Sequence, residues 1–334
     1  MAREARDEDA SSDEDEELSP WEFAIQLARD LIVAAVIIGI AVGSVFLYTG
    51  VWPPMVVVES GSMQHGNSGH LGVIDTGDLV LVQTVNGEES SVITYVEGAA
   101  TGYETYSNYG DVIVFHPPGT GAGVTPIIHR AILRVVYPSG VPGLGVDAPS
   151  LARFPGVWSG TDRNGNLVNR SQPFNLWSVT LQVRSWHTGS EGIASLTINF
   201  TGVIRSGFYT KGDHNPSYDP VYDGSGKPPV PASNIIGKAR GELPWFGLIK
   251  LTLWPTSSGC CRRGWGDAAA PPNSWDSLAT SFFVIALGLK LADYGFVFGE
   301  RYWKSFRGRR KEREGEEEEQ PTTEEAEPPD DAAK

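Results

Sequence analysis

LIVAAVIIGIAVGSVFLYTGV, residues 31–51, decides how this chain is laid out. It lies inside a longer stretch, between Asp30 and Glu59, that carries no charged residue. A run of that length crosses a hydrocarbon core of about 30 Å at about 1.5 Å per helical residue. Tyr48 and Trp52 stand where an interfacial aromatic belt forms, and Pro53-Pro54 are expected to stop the helix. A cleaved signal peptide has a shorter apolar region at the extreme N-terminus, followed by small residues. Here the run starts late and ends in Trp and Pro, so the expectation is an uncleaved membrane anchor over 21–52.

Outward from this helix the chain changes character in both directions. Residues 1–20 hold runs such as Asp13-Glu14-Asp15-Glu16-Glu17 and read as a disordered, solvated acidic tail. Near the other end, 275–299 contains a clean apolar run from Leu278 to Leu289, then Lys290 and Asp293 one turn apart. This segment is read as a second transmembrane helix, with an amphipathic interfacial helix as the alternative. Arg301, Lys304, Arg307, Arg309, Arg310 and Lys311 follow it, and such a cluster marks the cytoplasmic side. Residues 300–334 are thus a basic, then acidic, cytoplasmic tail, and 52–275 face the extracytoplasmic side.

Between the spans, short apolar or β-branched runs recur: Val56-Val57-Val58, Leu79 to Val82, Val112 to Phe115, Ile132 to Val136, Trp177 to Val183 and Leu196 to Phe200. Gly, Pro, Asn and Asp separate them, and no helical periodicity is sustained. The expectation is a mainly β fold, with a barrel-like β domain from 53–136 and 205–255 and an inserted β-rich subdomain over 137–204.

The balance of charge excludes some functions. The 334-residue chain has a net charge of -15 and only eight lysines, which suits no phosphate-backbone partner, so nucleic acid is not expected. The acidic, lysine-poor composition resembles proteins of salt-loving archaea. Cys260 and Cys261 are adjacent, cannot staple distant parts of a fold and lack metal-ligand spacing, so they read as incidental.

Chemistry concentrates where Val57-Val58-Glu59-Ser60-Gly61-Ser62-Met63 follows the anchor. A serine there sits close to the membrane surface, and it needs a base, because its hydroxyl is a poor nucleophile at its free pKa. There is no lysine between Ser62 and Lys211. Mid-chain, after a strand, stands Thr125-Pro126-Ile127-Ile128-His129-Arg130, where a histidine serves as base with little tuning. In Lys211-Gly212-Asp213-His214-Asn215-Pro216-Ser217-Tyr218-Asp219, two aspartates six residues apart lie in a turn that can put one carboxylate on the imidazole. His65 and His70 read as loop residues, and Asp78 and Asp111 as turn residues that open strands rather than as catalytic groups.

Ser60-Gly61-Ser62-Met63, Gly77-Asp78-Leu79-Val80, Gly110-Asp111-Val112-Ile113-Val114, Ile128-His129-Arg130 and Lys211-Gly212-Asp213 occur in the order of the boxes of type I signal peptidases. The histidine form resembles the archaeal and endoplasmic-reticulum branch. The resemblance covers roughly 31–135 and 205–255; Ile236 to Arg240 and Pro244 to Gly247 are similar to its closing segment. It implies Ser62 as nucleophile, His129 as general base, Asp219 as the acid of the triad, and Asp213 holding the loop or sharing that role. Ser60 and the backbone N–H of Ser62 are then the oxyanion donors. It implies a membrane-bound serine endopeptidase that removes signal peptides from preproteins cut after small residues, in contact with lipid and the translocation machinery, needing no cofactor and no metal. His214 stands where the family more often has Asn, and 84 positions separate His129 from Asp213, which places the insertion between them. The insertion either recognises substrates or partners or stabilises the enzyme. The competing reading is a non-enzymatic, membrane-anchored β domain that scaffolds or binds secretory proteins.

Overall fold

The computed structural model describes residues 19–120, 124–138, 143–219, 229–255 and 260–318. Almost all of the N-terminal acidic tail, and the C-terminal one from 319, lie outside them.

Helix α1 (Pro20–Thr49) opens with a capping box: the Ser19 hydroxyl accepts the Glu22 N–H, and the Glu22 carboxylate accepts the Ser19 N–H at 3.0 Å. Pro20 occupies the first helical position, where its missing N–H costs nothing. The helix ends at Gly50, not at Pro53-Pro54: Gly50 adopts φ 66° and caps the last turn through its N–H on Phe46 O. Leu31, Ile32, Val36, Ile37 and Ile40 are all exposed, an arrangement suited to a hydrocarbon surround.

Strands β1 (Met55–Val57) and β2 (Leu79–Gln83) follow, then a short helix α2 (Tyr95–Thr101), β3 (Glu104–Thr105), β4 (Asn108–Tyr109), β5 (Val112–Phe115) and β6 (Ile127–Val135). Next come β7 (Trp158–Thr161), β8 (Ser178–Ser185), β9 (Gly192–Asn199), β10 (Gly207–Lys211), β11 (Ile235–Leu243), helix α3 (Gly247–Leu253) and helix α4 (Pro272–Glu318). Every strand pair is antiparallel. The main sheet has six strands in the order β1-β2-β11-β5-β6-β10, beside a β3-β4 ribbon and a three-stranded sheet β7-β8-β9. The chain is therefore mixed α/β with antiparallel sheets; the six apolar runs fall on β1, β2, β5, β6, β8 and β9, while β3, β4, β7, β10 and β11 lie outside them. Helix α2 is too short to show a period in the sequence; it forms behind a second capping box, Thr94 with Glu97.

The segment read as an insertion carries the three-stranded sheet, and its core is continuous with that of the main sheet. Leu176, Val179, Leu181, Leu196 and Ile198 bury into the same cluster as Ile132, Leu133, Val135 and Tyr209. Residues 1–274 form one compact unit and 275–334 another.

Helix α4 runs unbroken for 47 residues. Helix α1 and the segment Pro272–Ala292 are both long and apolar enough to cross a membrane. Phe282, Phe283, Val284, Ile285, Leu287 and Leu289 are all exposed; successive positions point around the whole helix rather than along one stripe. The side chains of Asp293, Arg301, Lys304, Arg307, Arg309, Arg310 and Lys311 lie outside the described residues, and with them the expected Lys290–Asp293 pair.

Candidate active site

Ser62 lies in a single turn of 3-10 helix, Gly61–Met63, reached from β1 through Val58 and Glu59. The turn is fixed from several sides. Val58 N–H donates to Asp78 O at 2.9 Å, Cys260 N–H to Glu59 O at 3.0 Å, and His214 N–H to Ser62 O at 2.9 Å, while Met63 is buried in the core. Cys260 and Cys261 form a disulfide with each other; it joins only neighbours, as their adjacency requires, but its first residue is one of these anchors.

His129 comes from β6 and is nearly buried. Its Nε2 lies 2.9 Å from Ser62 Oγ and its Nδ1 2.7 Å from Asp219 Oδ2. A carboxylate at Nδ1 holds the proton there, leaving the Nε2 lone pair facing the serine hydroxyl. Asp219 Oδ2 also accepts the Thr210 hydroxyl at 2.5 Å, and Asp219 N–H donates to Thr210 O at 2.8 Å. The last residues of β10 thereby aim the acid at the imidazole. Ser60 Oγ stands 3.5 Å from Ser62 Oγ. Gly212 passes so close that a Cβ would lie 2.5 Å from Ser62 O and 3.0 Å from His129 Nε2; only glycine fits there.

The two aspartates left open by the sequence part company here. Asp219 meets His129, whereas Asp213 meets Arg130. The fully buried Arg130 donates Nε to Asp213 Oδ1 at 2.8 Å and Nη2 to Oδ2 at 2.7 Å. Its Nη1 is gathered by the carbonyls of Thr105, Asn108, Tyr109 and Gly110. Burial alone would raise the Asp213 carboxyl, but the Arg130 charge and hydrogen bonds outweigh it and hold the group well below the usual carboxylate range. His65 Nε2 adds a contact to Asp213 Oδ2 at 3.0 Å, and Asn108 Nδ2 one to Oδ1 at 3.3 Å.

Lys211 is buried too. Burial pushes its ammonium down to about 8, against the opposing pull of the Asp213 charge. Its Nζ donates to Ser185 Oγ at 3.0 Å, Gly212 O at 2.9 Å and Asp213 O at 3.3 Å. His129 holds the place beside Ser62, and Lys211 braces the turn behind it.

Sequence reasoning missed Arg130, His65 and Trp186 as parts of this network. Arg130 adjoins His129 in the chain; for the other two no local signal exists.

Asp78 and Asp111 do the turn work expected of them. Asp78 accepts Asp75 N–H at 2.7 Å and Trp245 N–H at 2.9 Å; Asp111 accepts Ile93 N–H at 2.9 Å and the Arg240 guanidinium at 3.0 Å. Burial pushes both Asp75 and Asp78 up to about 7, with the Glu242 charge adding to the rise.

The chain matches no protein-family model and no curated protein.

A cavity of about 670 Å³ is walled by Met55 and Val57 of β1, Val114 of β5 and Ile128 of β6; Ser62 and His129 are not among its lining residues. Its wall includes Glu59 and Ile128, each within a few residues of Ser62 or His129 in the chain. It is mostly apolar, as a cleft for an extended apolar peptide would be. Among the described residues, no group of three or more His, Cys, Asp or Glu side chains is placed to hold a metal ion.

Proposed function

We propose that this chain is a membrane-anchored serine endopeptidase of the type I signal peptidase kind. The observation that carries the reading is the unbroken line Ser62 Oγ, His129 Nε2, His129 Nδ1, Asp219 Oδ2, with links of 2.9 and 2.7 Å. Nucleophile, base and orienting acid within hydrogen-bond reach form the arrangement acyl transfer requires.

Ser62 Oγ attacks the scissile carbonyl carbon while its proton passes to His129 Nε2. Asp219 stabilises the imidazolium that results. The tetrahedral oxyanion falls to the Ser60 hydroxyl and the Ser62 N–H; one such donor contributes about 10²–10³ in rate. The imidazolium returns its proton to the leaving amine, which departs as the mature protein. Water, deprotonated by His129, then cleaves the ester and frees the signal peptide. The apolar cavity beside β1 and β6 suits small side chains of an extended peptide ahead of the cut bond. An anchor ending at Gly50 keeps Ser62 near the depth at which the apolar part of a signal peptide ends. The basic cluster after 300 favours a cytoplasmic C-terminus, with the catalytic unit outside and preproteins delivered by the translocation machinery.

The test is cleavage of a membrane-targeted preprotein by purified, detergent-solubilised protein, at high and low salt, with Ser62→Ala and His129→Ala in parallel. The expected result is cleavage after a small residue by the wild type alone. A folded wild type that binds preprotein without cutting it favours the scaffolding reading, and cleavage that survives both substitutions removes the assignment.

A further inference from the structure

The loop after Ser62 reads Gln64-His65-Gly66-Asn67-Ser68-Gly69, a composition that holds no shape by itself. The Ser62 turn has its own backbone anchors, and Asn273 holds the far end of the loop at Gly69. Between them, at His65 and Gly66, the brace is the tip of the β8-β9 hairpin, residues 186–191. The indole of Trp186 lies flat on the His65 imidazole, with ring centroids 3.5 Å apart and planes 3° apart. Both side chains are almost wholly buried, His65 at 7% and Trp186 at 6% exposure. One residue further along, a Cβ on Gly66 would come 3.5 Å from the Gly189 carbonyl, so backbone meets backbone at the same place.

The hairpin is itself tied to the turn that supplies both aspartates. Trp186 N–H donates to Asp213 O at 3.0 Å, and the Ser185 hydroxyl donates to the same oxygen at 3.2 Å while accepting from Lys211 Nζ. His65 is therefore fixed twice: the indole sets the plane of its ring and Asp213 sets its rotation within that plane.

We infer that the β8-β9 hairpin is a positioning element of the active site, with Trp186 holding His65, and His65 holding the turn that presents Ser62 to His129. The inference rests on the peptidase reading above and gives the segment between His129 and Asp213 a task in that same site. Trp186 and His65 touch neither the scissile bond nor its oxyanion; they act through the placement of Ser62. A shift of about 1 Å in a reacting group costs on the order of 10²-fold in rate, so the effect belongs in kcat rather than KM.

The test uses the full-length protein with His65→Ala, His65→Gln, Trp186→Ala, Trp186→Phe and the double variant His65→Ala/Trp186→Ala. Cleavage kinetics, thermal midpoint and amide exchange over residues 60–70 are measured on each. The expected result is a fall in kcat of about 10- to 100-fold for each alanine variant with KM within about threefold. Gln and Phe should recover most of it, and the double variant should be no slower than the worse single. A folded Trp186→Ala enzyme with wild-type kcat overturns the inference, as does a loss carried by KM or a double variant whose losses multiply. Amide exchange separates this result from failure of the peptidase reading. If the wild type shows no Ser62-dependent cleavage, that reading falls, and the brace stands or falls on whether Trp186→Ala speeds exchange at 62–66 while the β5 and β6 amides stay protected.

Discussion

Asp213 and Asp219 lie in one turn, and their surroundings give them opposite work. Asp213 faces a fully buried guanidinium that donates three hydrogen bonds to it. Asp219 faces one imidazole and one hydroxyl. A carboxylate neutralised by arginine has its charge answered permanently and serves as a rivet. A carboxylate opposite a neutral histidine has its charge answered only when the ring takes a proton, which is the moment an acyl-transfer base needs it. Asp75 and Asp78 show a third outcome: buried, and paired with no cation among the described residues, they are pushed up to about 7 instead.

The comparison is broken most directly at Ser62 and His129, the proposed nucleophile and base. Ser62→Ala or His129→Ala should lower single-turnover cleavage by about 10⁴- to 10⁶-fold with little change in thermal midpoint. Asp219→Asn should lower kcat by about 10³- to 10⁴-fold, again with near-native stability. Asp213→Asn should do the reverse: stranding the buried Arg130 charge should cost about 3–5 kcal/mol in denaturant unfolding, while the folded fraction keeps kcat within about tenfold. A mild Asp219→Asn beside an inactive, stable Asp213→Asn would exchange the two roles.

The second pair, Asp75 and Asp78, sharpens the contrast through pH. Folded pKa values of about 7 lie above the ordinary carboxylate value, so the folded state binds the extra protons. Their contribution to stability is complete below about pH 4 and is lost as pH rises to about 7, with a slope of up to about 1.4 kcal/mol per pH unit for each group. Asp75→Asn should flatten that slope in unfolding measured from pH 4 to 8 and be the more stable form at the upper end. The smallest effect is expected at the buried lysine. Lys211→Met should keep turnover within about tenfold, since its three contacts go to Ser185 and two carbonyls rather than to Ser62.

What the sequence made legible was local or negative. The charge-free run gave the first helix, though its end at Gly50 rests on a left-handed residue that outranked the prolines as a stop. The lack of lysine between Ser62 and Lys211 pointed to His129, and the two are in contact. Which aspartate serves His129 was not legible, because both lie in the same turn and the choice depends on which side of β6 each one meets. His65 and Trp186 are far apart in sequence, and a stacked pair leaves no periodic trace. Helix α2 was legible in principle through Thr94 and Glu97, but a seven-residue helix offers no repeat to count.

His129 and Arg130 are consecutive on β6, so the pleat sends them to opposite faces of the sheet. Each then meets its own aspartate from the turn after the edge strand β10. A strand slipped by one residue would set either Arg130 where His129 stands and Ala131 where Arg130 stands, or Ile128 where His129 stands and His129 where Arg130 stands. Such a chain would lose its buried ion pair and its Ser62–His129–Asp219 line together. The geometry of the candidate site thus acts as a checksum on strand registration: a misthreaded sheet loses the buried Arg130–Asp213 pair by the same error that parts His129 from Ser62.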